Sequence, residues 1–189
     1  MKRILVLALI AVAATAAGAP ASFAIDPDHS AAHFTVRHLA ISNVRGEFGH
    51  VRGTIVFDDA DPASTRIDAT IDAASVNTRV AARDEDLRGA SFFDVAKYPE
   101  ILFRSTSVRA AGDNRYSVTG DLTLHGVTRS VTLDVEATPP AKDSRGNERR
   151  GAEATTTLSR KEFGVSGSPG MVGDEVKVTI DIEAFRKTN

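Results

Sequence analysis

Five histidines, 25 carboxylates and one glycine–serine loop are the residues whose chemistry has to be placed first. His29, His33 and His38 lie close together in the sequence and so raise the question of a metal site. In an extended chain, four residues span about 13 Å, whereas zinc ligands must all lie about 2 Å from one ion. His33 and His38 also fall on opposite faces of a strand, and His50 and His125 join them only by tertiary coincidence. No metal is expected, and these histidines read as strand-end or turn residues bonded to backbone. The loop Gly164-Val165-Ser166-Gly167-Ser168-Pro169-Gly170 misses the Gly-x-Ser-x-Gly pattern of a nucleophile elbow and has no strand-turn-helix context. Arg83-Asp84-Glu85-Asp86 crowds charges onto one turn beside Arg88, as a solvated helix face does. No glycine-rich loop precedes a helix in the manner of a phosphate cradle. Catalytic residues are therefore not expected, and neither is a cofactor.

The elements around these residues are mostly strands. Phe34 and Val36 alternate with Thr35 and Arg37, and Ile67, Ala69 and Ile71 share one face of Arg66–Asp72. Extended runs also appear at Arg45–Gly49 and Gly53–Phe57, and from Glu100 to Arg109. His125-Gly126 separates Gly120–Leu124 from Val131–Leu133, the strongest hairpin signal in the chain. Ala152–Leu158 is Thr-rich, as edges and solvated faces often are, which leaves a homodimer open. Val176, Val178, Ile180 and Ile182 form the apolar face of the last strand.

The alternation stops between Asn77 and Phe103. Ala81–Leu87 is helix-compatible and Gly89 follows, then come Phe92-Phe93 and Tyr98-Pro99. A turn of charged helix beside adjacent aromatics, set between strands, reads as a cap over the mouth of a sheet or barrel, or as a crossover plugging the core. About eight strands at short spacing, with little helix and no repeat, predict an all-β fold: one antiparallel sandwich or barrel. A closed barrel leaves no edge exposed, and eight strands enclose room for one small ligand.

Met1-Lys2-Arg3, the apolar run Ile4–Ala14 and the small residues at Ala19-Pro20-Ala21 and Ser22-Phe23-Ala24 predict a cleavable signal peptide over residues 1–24. One domain over residues 25–189 would remain, exported and hence expected in the periplasm. The chain carries a net charge of −2, and loss of Lys2 and Arg3 takes it to −4, which argues against a nucleic-acid partner. It has no cysteine, so no disulfide or thiolate chemistry is available.

Several motifs occur in order along the chain. They include Asp28-His29-Ser30 before His33–His38, Gly46-Glu47-Phe48 before Gly53-Thr54-Ile55, and Ser75–Thr78 before Arg83-Asp84, Leu87 and Phe92-Phe93-Asp94. Tyr98–Ile101, Gly120–Thr128 and Arg160–Gly164 complete the set. Together they resemble the YceI-like family of exported polyisoprenoid-binding proteins. A departure is Glu85, where the family more often has another residue. The resemblance implies a single extended, eight-stranded lipocalin-like barrel with a short helical insert, and an isoprenoid quinone or polyprenyl phosphate as ligand. It implies no enzymatic activity. With strand alternation choosing the faces, the expected lining is Phe34, Val36, Phe48, Ile71, Ile101, Phe103, Leu122 and Leu124. Phe92 and Phe93 are expected as a lid, and Arg83 and His38 as headgroup contacts. Transient membrane contact is a corollary. The alternatives are a solid-core, stress-related interaction protein and an enzyme acting on a lipid or quinone in the cavity.

Overall fold

The computed structural model describes residues 20–186. The signal peptide expected over residues 1–24 therefore lies outside the described residues up to residue 19. The remainder of that stretch is structured. Ala21–Ile25 forms β1, paired with strands on both sides, so a boundary after Ala24 would run through a strand.

The eleven strands that follow are β2 (Ala31–His38), β3 (Ser42–Phe48), β4 (Val51–Phe57), β5 (Arg66–Asp72), β6 (Val76–Asn77), β7 (Glu100–Gly112), β8 (Arg115–Leu124), β9 (Val127–Ala137), β10 (Ala141–Lys142), β11 (Glu148–Ser159) and β12 (Val172–Arg186). All pairings are antiparallel, and β11 pairs with β12 to close the ring. The result is an eight-stranded barrel with extra short strands. Three of its eight staves are broken. β1 and β2 lie one after the other along β12, at Ile25↔Ala184 and Ala31↔Asp181. β3 and β4 lie along β2 and β1 in the same way, and β6 and β5 along β3 and β4.

Strand alternation accounts for the inward faces. Val118 and Leu133 are directly paired across β8 and β9, and both are buried. Two buried clusters result. One gathers Ile25, Ala32, Phe48, Val51, Val76 and Ile101, and the other Val108, Val118, Leu133 and Ala154. Ile180 packs against both. The β8–β9 hairpin forms at the expected turn, with Leu124↔Val127 as its last pair. His125 and Gly126 both take the positive φ that a tight hairpin demands (52° and 75°).

Thr-rich β11 is not an edge. From Ala152 to Thr155 it pairs with β9 on one side and β12 on the other, because closure of the barrel needs exactly this strand as its last seam. Threonine here supplies β-branched propensity in a closed sheet.

The two rims differ. At one, Arg150 lies over the rings of Phe23 (5.4 Å) and Phe57 (5.1 Å) and makes a two-pronged bond to Asp59. Beside it Arg149 bridges Asp26 at 2.6 Å and Glu183 at 3.0 Å. The other rim carries helix α1 (Ala81–Arg88), the segment 89–99, a short 3₁₀ turn at Arg160–Phe163 and the loop after it.

Candidate functional site

Between the two clusters the barrel encloses a cavity of about 250 Å³, so its interior is not a solid core. The walls come from every long strand: Ile55 and Ile71 from β4 and β5, Leu122 and Leu124 from β8, Leu158 from β11, and Val178 and Ile182 from β12. Each is placed there by period-two alternation.

Of the residues picked from the sequence, Phe34, Val36, Phe48 and Ile71 lie on the lining, as do Ile101, Phe103, Leu122 and Leu124. Phe92 and Phe93 reach it from the cap. Phe34, Phe48 and Phe93 form a connected aromatic row, with centroids 5.7 Å and 5.2 Å apart, the second pair edge-on. Phe34 lies against its cross-strand partner Gly46: a Cβ added there would sit 2.4 Å from the ring. The glycine lets the ring lie back on the sheet and leaves the space in front of it empty.

His38 and Arg83 are not on the lining. His38 ends β2, opposite Ser42 and Val172. Arg83 is spent on the chain before its own helix, donating to the Thr78 hydroxyl (2.7 Å) and carbonyl (2.9 Å). Asp84 is buried and accepts from the same residue, from the Thr78 amide at 2.7 Å and its hydroxyl at 2.5 Å. The charged turn is thus not a uniformly solvated face. Arg88 donates to the carbonyls of Ala74 and Val76, which ties the end of the helix to the broken stave below. Leu87 is left pointing into the cavity. Polar bonds hold this helix in place, and they leave one apolar side chain as a plug.

The cap has a second tether. Arg160, 6% exposed, gives its guanidinium to four carbonyls, those of Gly173, Val165, Gly167 and Val172, at 2.8–2.9 Å. Burial pushes its pKa down, opposed by the nearby Asp174, and an arginine stays charged regardless. Gly167 then donates its amide to the Ser91 carbonyl at 2.8 Å and lies so close to Phe92 that a Cβ would come within 2.6 Å of the ring. On the far side Tyr98 and His125 meet edge to face at 4.8 Å.

The sequence reading places Arg160 only within the Arg160–Gly164 motif and misses it as a buried organiser; an Arg beside Lys161 and Glu162 reads as one more exposed charge. It also left Val176, Val178, Ile180 and Ile182 off the lining, although their alternation was plain and all four are on it. The histidines are dispersed. His33 sits between Glu47 and Asp181, and His50 is near Asp72. Asp26, His29 and Glu183 do converge, but the Arg149 guanidinium already lies between the two carboxylates as their counter-charge.

Comparison with known proteins agrees with this architecture. A "UPF0312 protein" of Yersinia pestis is 39% identical over 188 residues, covering 98% of this chain and 97% of that protein. The YCEI protein of Campylobacter jejuni superposes with a TM-score of 0.70 at 33% identity, over 80% of this chain and 90% of its own. A polyisoprenoid binding domain from Saccharophagus degradans shares the fold at a TM-score of 0.67 and 16% identity, over 88% and 99% of the two chains. The YceI-like domain matches residues 23–184, and the chain belongs to that family.

Proposed function

We propose that the protein is a carrier that shields the tail of a long isoprenoid lipid, a quinone or a polyprenyl phosphate, in the periplasm. The observation that carries this reading is the apolar cavity under a tethered aromatic cap. Apolar cavities of about 150 Å³ stay dry and take up apolar guests, and this one is larger. It is smaller than the pockets of roughly 300–1,000 Å³ that hold compact drug-sized ligands, which favours a slender chain. Each buried CH₂ contributes about 0.8 kcal/mol, part of it offset by ordering the chain. A full-length tail exceeds the free volume, so loading on this reading requires the segment carrying Phe92 and Phe93 to lift. The likeness to a domain described as polyisoprenoid binding supports the ligand class.

Binding is favoured over catalysis because polar groups reaching the lining are already committed. His33 lies between Glu47 and Asp181, the Thr156 hydroxyl donates to the Thr132 carbonyl, and Arg160 donates to its four carbonyls. Mass spectrometry of an organic extract of the protein, purified from its native compartment, tests the proposal. A stoichiometric isoprenoid is expected. An extract that stays empty after incubation with quinones and polyprenyl phosphates refutes it.

A further inference from the structure

Opposite the rim of Arg149 and Arg150, the barrel carries apolar side chains that the fold does not use. The β2–β3 hairpin ends in Leu39-Ala40-Ile41, where Ile41 is 79% and Leu39 49% exposed. Met171, 50% exposed, stands beside them, its carbonyl accepting from the Leu39 amide at 2.7 Å. Leu39 and Ala40 both have positive φ, 51° and 58°. Such turns favour Asn and Gly, so turn chemistry does not explain a leucine here.

The charges that bracket the tip are all positive. Arg37, Arg45 and Arg79 are exposed, and none has a carboxylate partner among the described residues. Elsewhere on the barrel Arg52, Arg104 and Arg115 are paired with Glu100, Asp68 and Glu136, while Arg66, Arg109 and Arg129 are exposed without a carboxylate partner; what sets this group apart is that Arg37 and Arg45 bracket the exposed Leu39 and Ile41 in the chain. No acid occurs between Arg37 and Arg45, nor from Gly164 to Gly173.

The geometry points to a bilayer-docking surface: Leu39, Ile41 and Met171 enter the interface of an anionic membrane while Arg37, Arg45 and Arg79 meet lipid phosphates. It deepens the carrier reading and rests on it, because the docked rim is the one that bears the cap. The loop that carries Met171 is bonded through Gly167 to Ser91, next to Phe92. The dimensions agree. Arg37 precedes Leu39 by two residues, roughly 7 Å along a strand, and interfacial segments bury about 5–10 Å of apolar depth. Single side chains projecting from two loop tips suit a fluid interface better than a protein partner, which would need a continuous complementary face.

Flotation of the full mature protein with two vesicle types tests this: phosphatidylcholine alone, and phosphatidylcholine with phosphatidylglycerol at about 2:1. Wild type is expected to float with the anionic vesicles, less so in high salt. Ile41→Asp, at an exposed position, should fold normally and bind about tenfold more weakly. Arg37→Gln/Arg45→Gln/Arg79→Gln should lose the preference for anionic vesicles. Failure of wild type to float, or flotation of Ile41→Asp equal to it, overturns the inference. So does a wild-type dimer in solution that Ile41→Asp dissociates, which would assign the patch to a second copy. Uptake of isoprenoid added in detergent needs no bilayer. Uptake without flotation sinks docking alone, and flotation without uptake sinks the carrier reading alone.

Discussion

Replacing Gly46 with alanine puts a methyl group where the Phe34 ring now lies. The added Cβ would sit 2.4 Å from the ring and 2.8 Å from Thr78 Cγ2. Ordinary carbon contact is about 3.8 Å, so the ring must retreat by about 1.4 Å. The ring lines the cavity, so retreat from the new methyl carries it into that space. Thr78 gives way less readily, because its hydroxyl and amide are fixed on Asp84. The stability cost should be that of modest overpacking, about 1–3 kcal/mol, and the barrel should still fold. The larger effect should be on capacity. Exclusion of one isoprene unit, roughly five carbons at about 0.8 kcal/mol each, forfeits up to about 4 kcal/mol of binding. Even half of that is a roughly 30-fold loss of affinity. Affinity would be read by competition with an environment-sensitive apolar dye, and stability by urea unfolding. Adding Phe34→Ala to Gly46→Ala removes the displaced ring and should restore binding while lowering stability further. A folded Gly46→Ala protein that binds within about twofold of wild type refutes the argument that glycine keeps this space open. A double variant that binds no better than the single one refutes it equally.

Three further outcomes are expected. Because Phe23 is 1% exposed within β1, beneath Arg150, the mature chain should begin at Ser22, and an intact mass matching a start at Ile25 would contradict this. Phe23→Ala should cost about 3–5 kcal/mol in urea unfolding. At the same rim, burial raises the Asp26 pKa, but hydrogen bonds from Arg149, the Asp28 amide and His29 outweigh it and leave it lowered; Arg150 lowers that of Asp59. A carboxyl whose pKa is lower folded than unfolded stabilises fully above its unfolded value, about 3.9, and loses that contribution as pH falls through the folded value. The urea midpoint should therefore drop below about pH 4, and less steeply in Arg149→Met, which lacks one of the hydrogen bonds that lower Asp26.

Much of the barrel was legible because its inner face is written at period two. Ile67 and Ile71 announce themselves, as do Leu122 and Leu124 before the His125-Gly126 turn. The picks made this way lie on the cavity wall. Side chains chosen for charge fared differently. Arg83 was expected at a headgroup and instead holds Thr78, since a nearby backbone carbonyl is always available to a guanidinium and the sequence does not say which one it takes. β1 was hidden for a related reason: Ala21-Ser22-Phe23-Ala24 has the small residues of a peptidase site, and nothing local shows that Phe23 will be covered. Nor does the Thr-rich composition of β11 reveal that its partners come from either side.

The first and last strands of the barrel are neighbours, at Phe23↔Arg186, and the final strand also forms the closing seam with β11. A ribosome therefore delivers the strand that completes the ring after the other eleven. Until β12 emerges, from about Val172, the chain is an open sheet in which β11 lacks one neighbour and β1 and β2 lack theirs at the opposite end. Contacts of such long sequence separation slow folding, because loop-closure entropy is lost before they repay it. The order of the strands thus acts as a timer. The chain stays open, and so threadable, until β12 has been made, and only then can it take its enclosed shape.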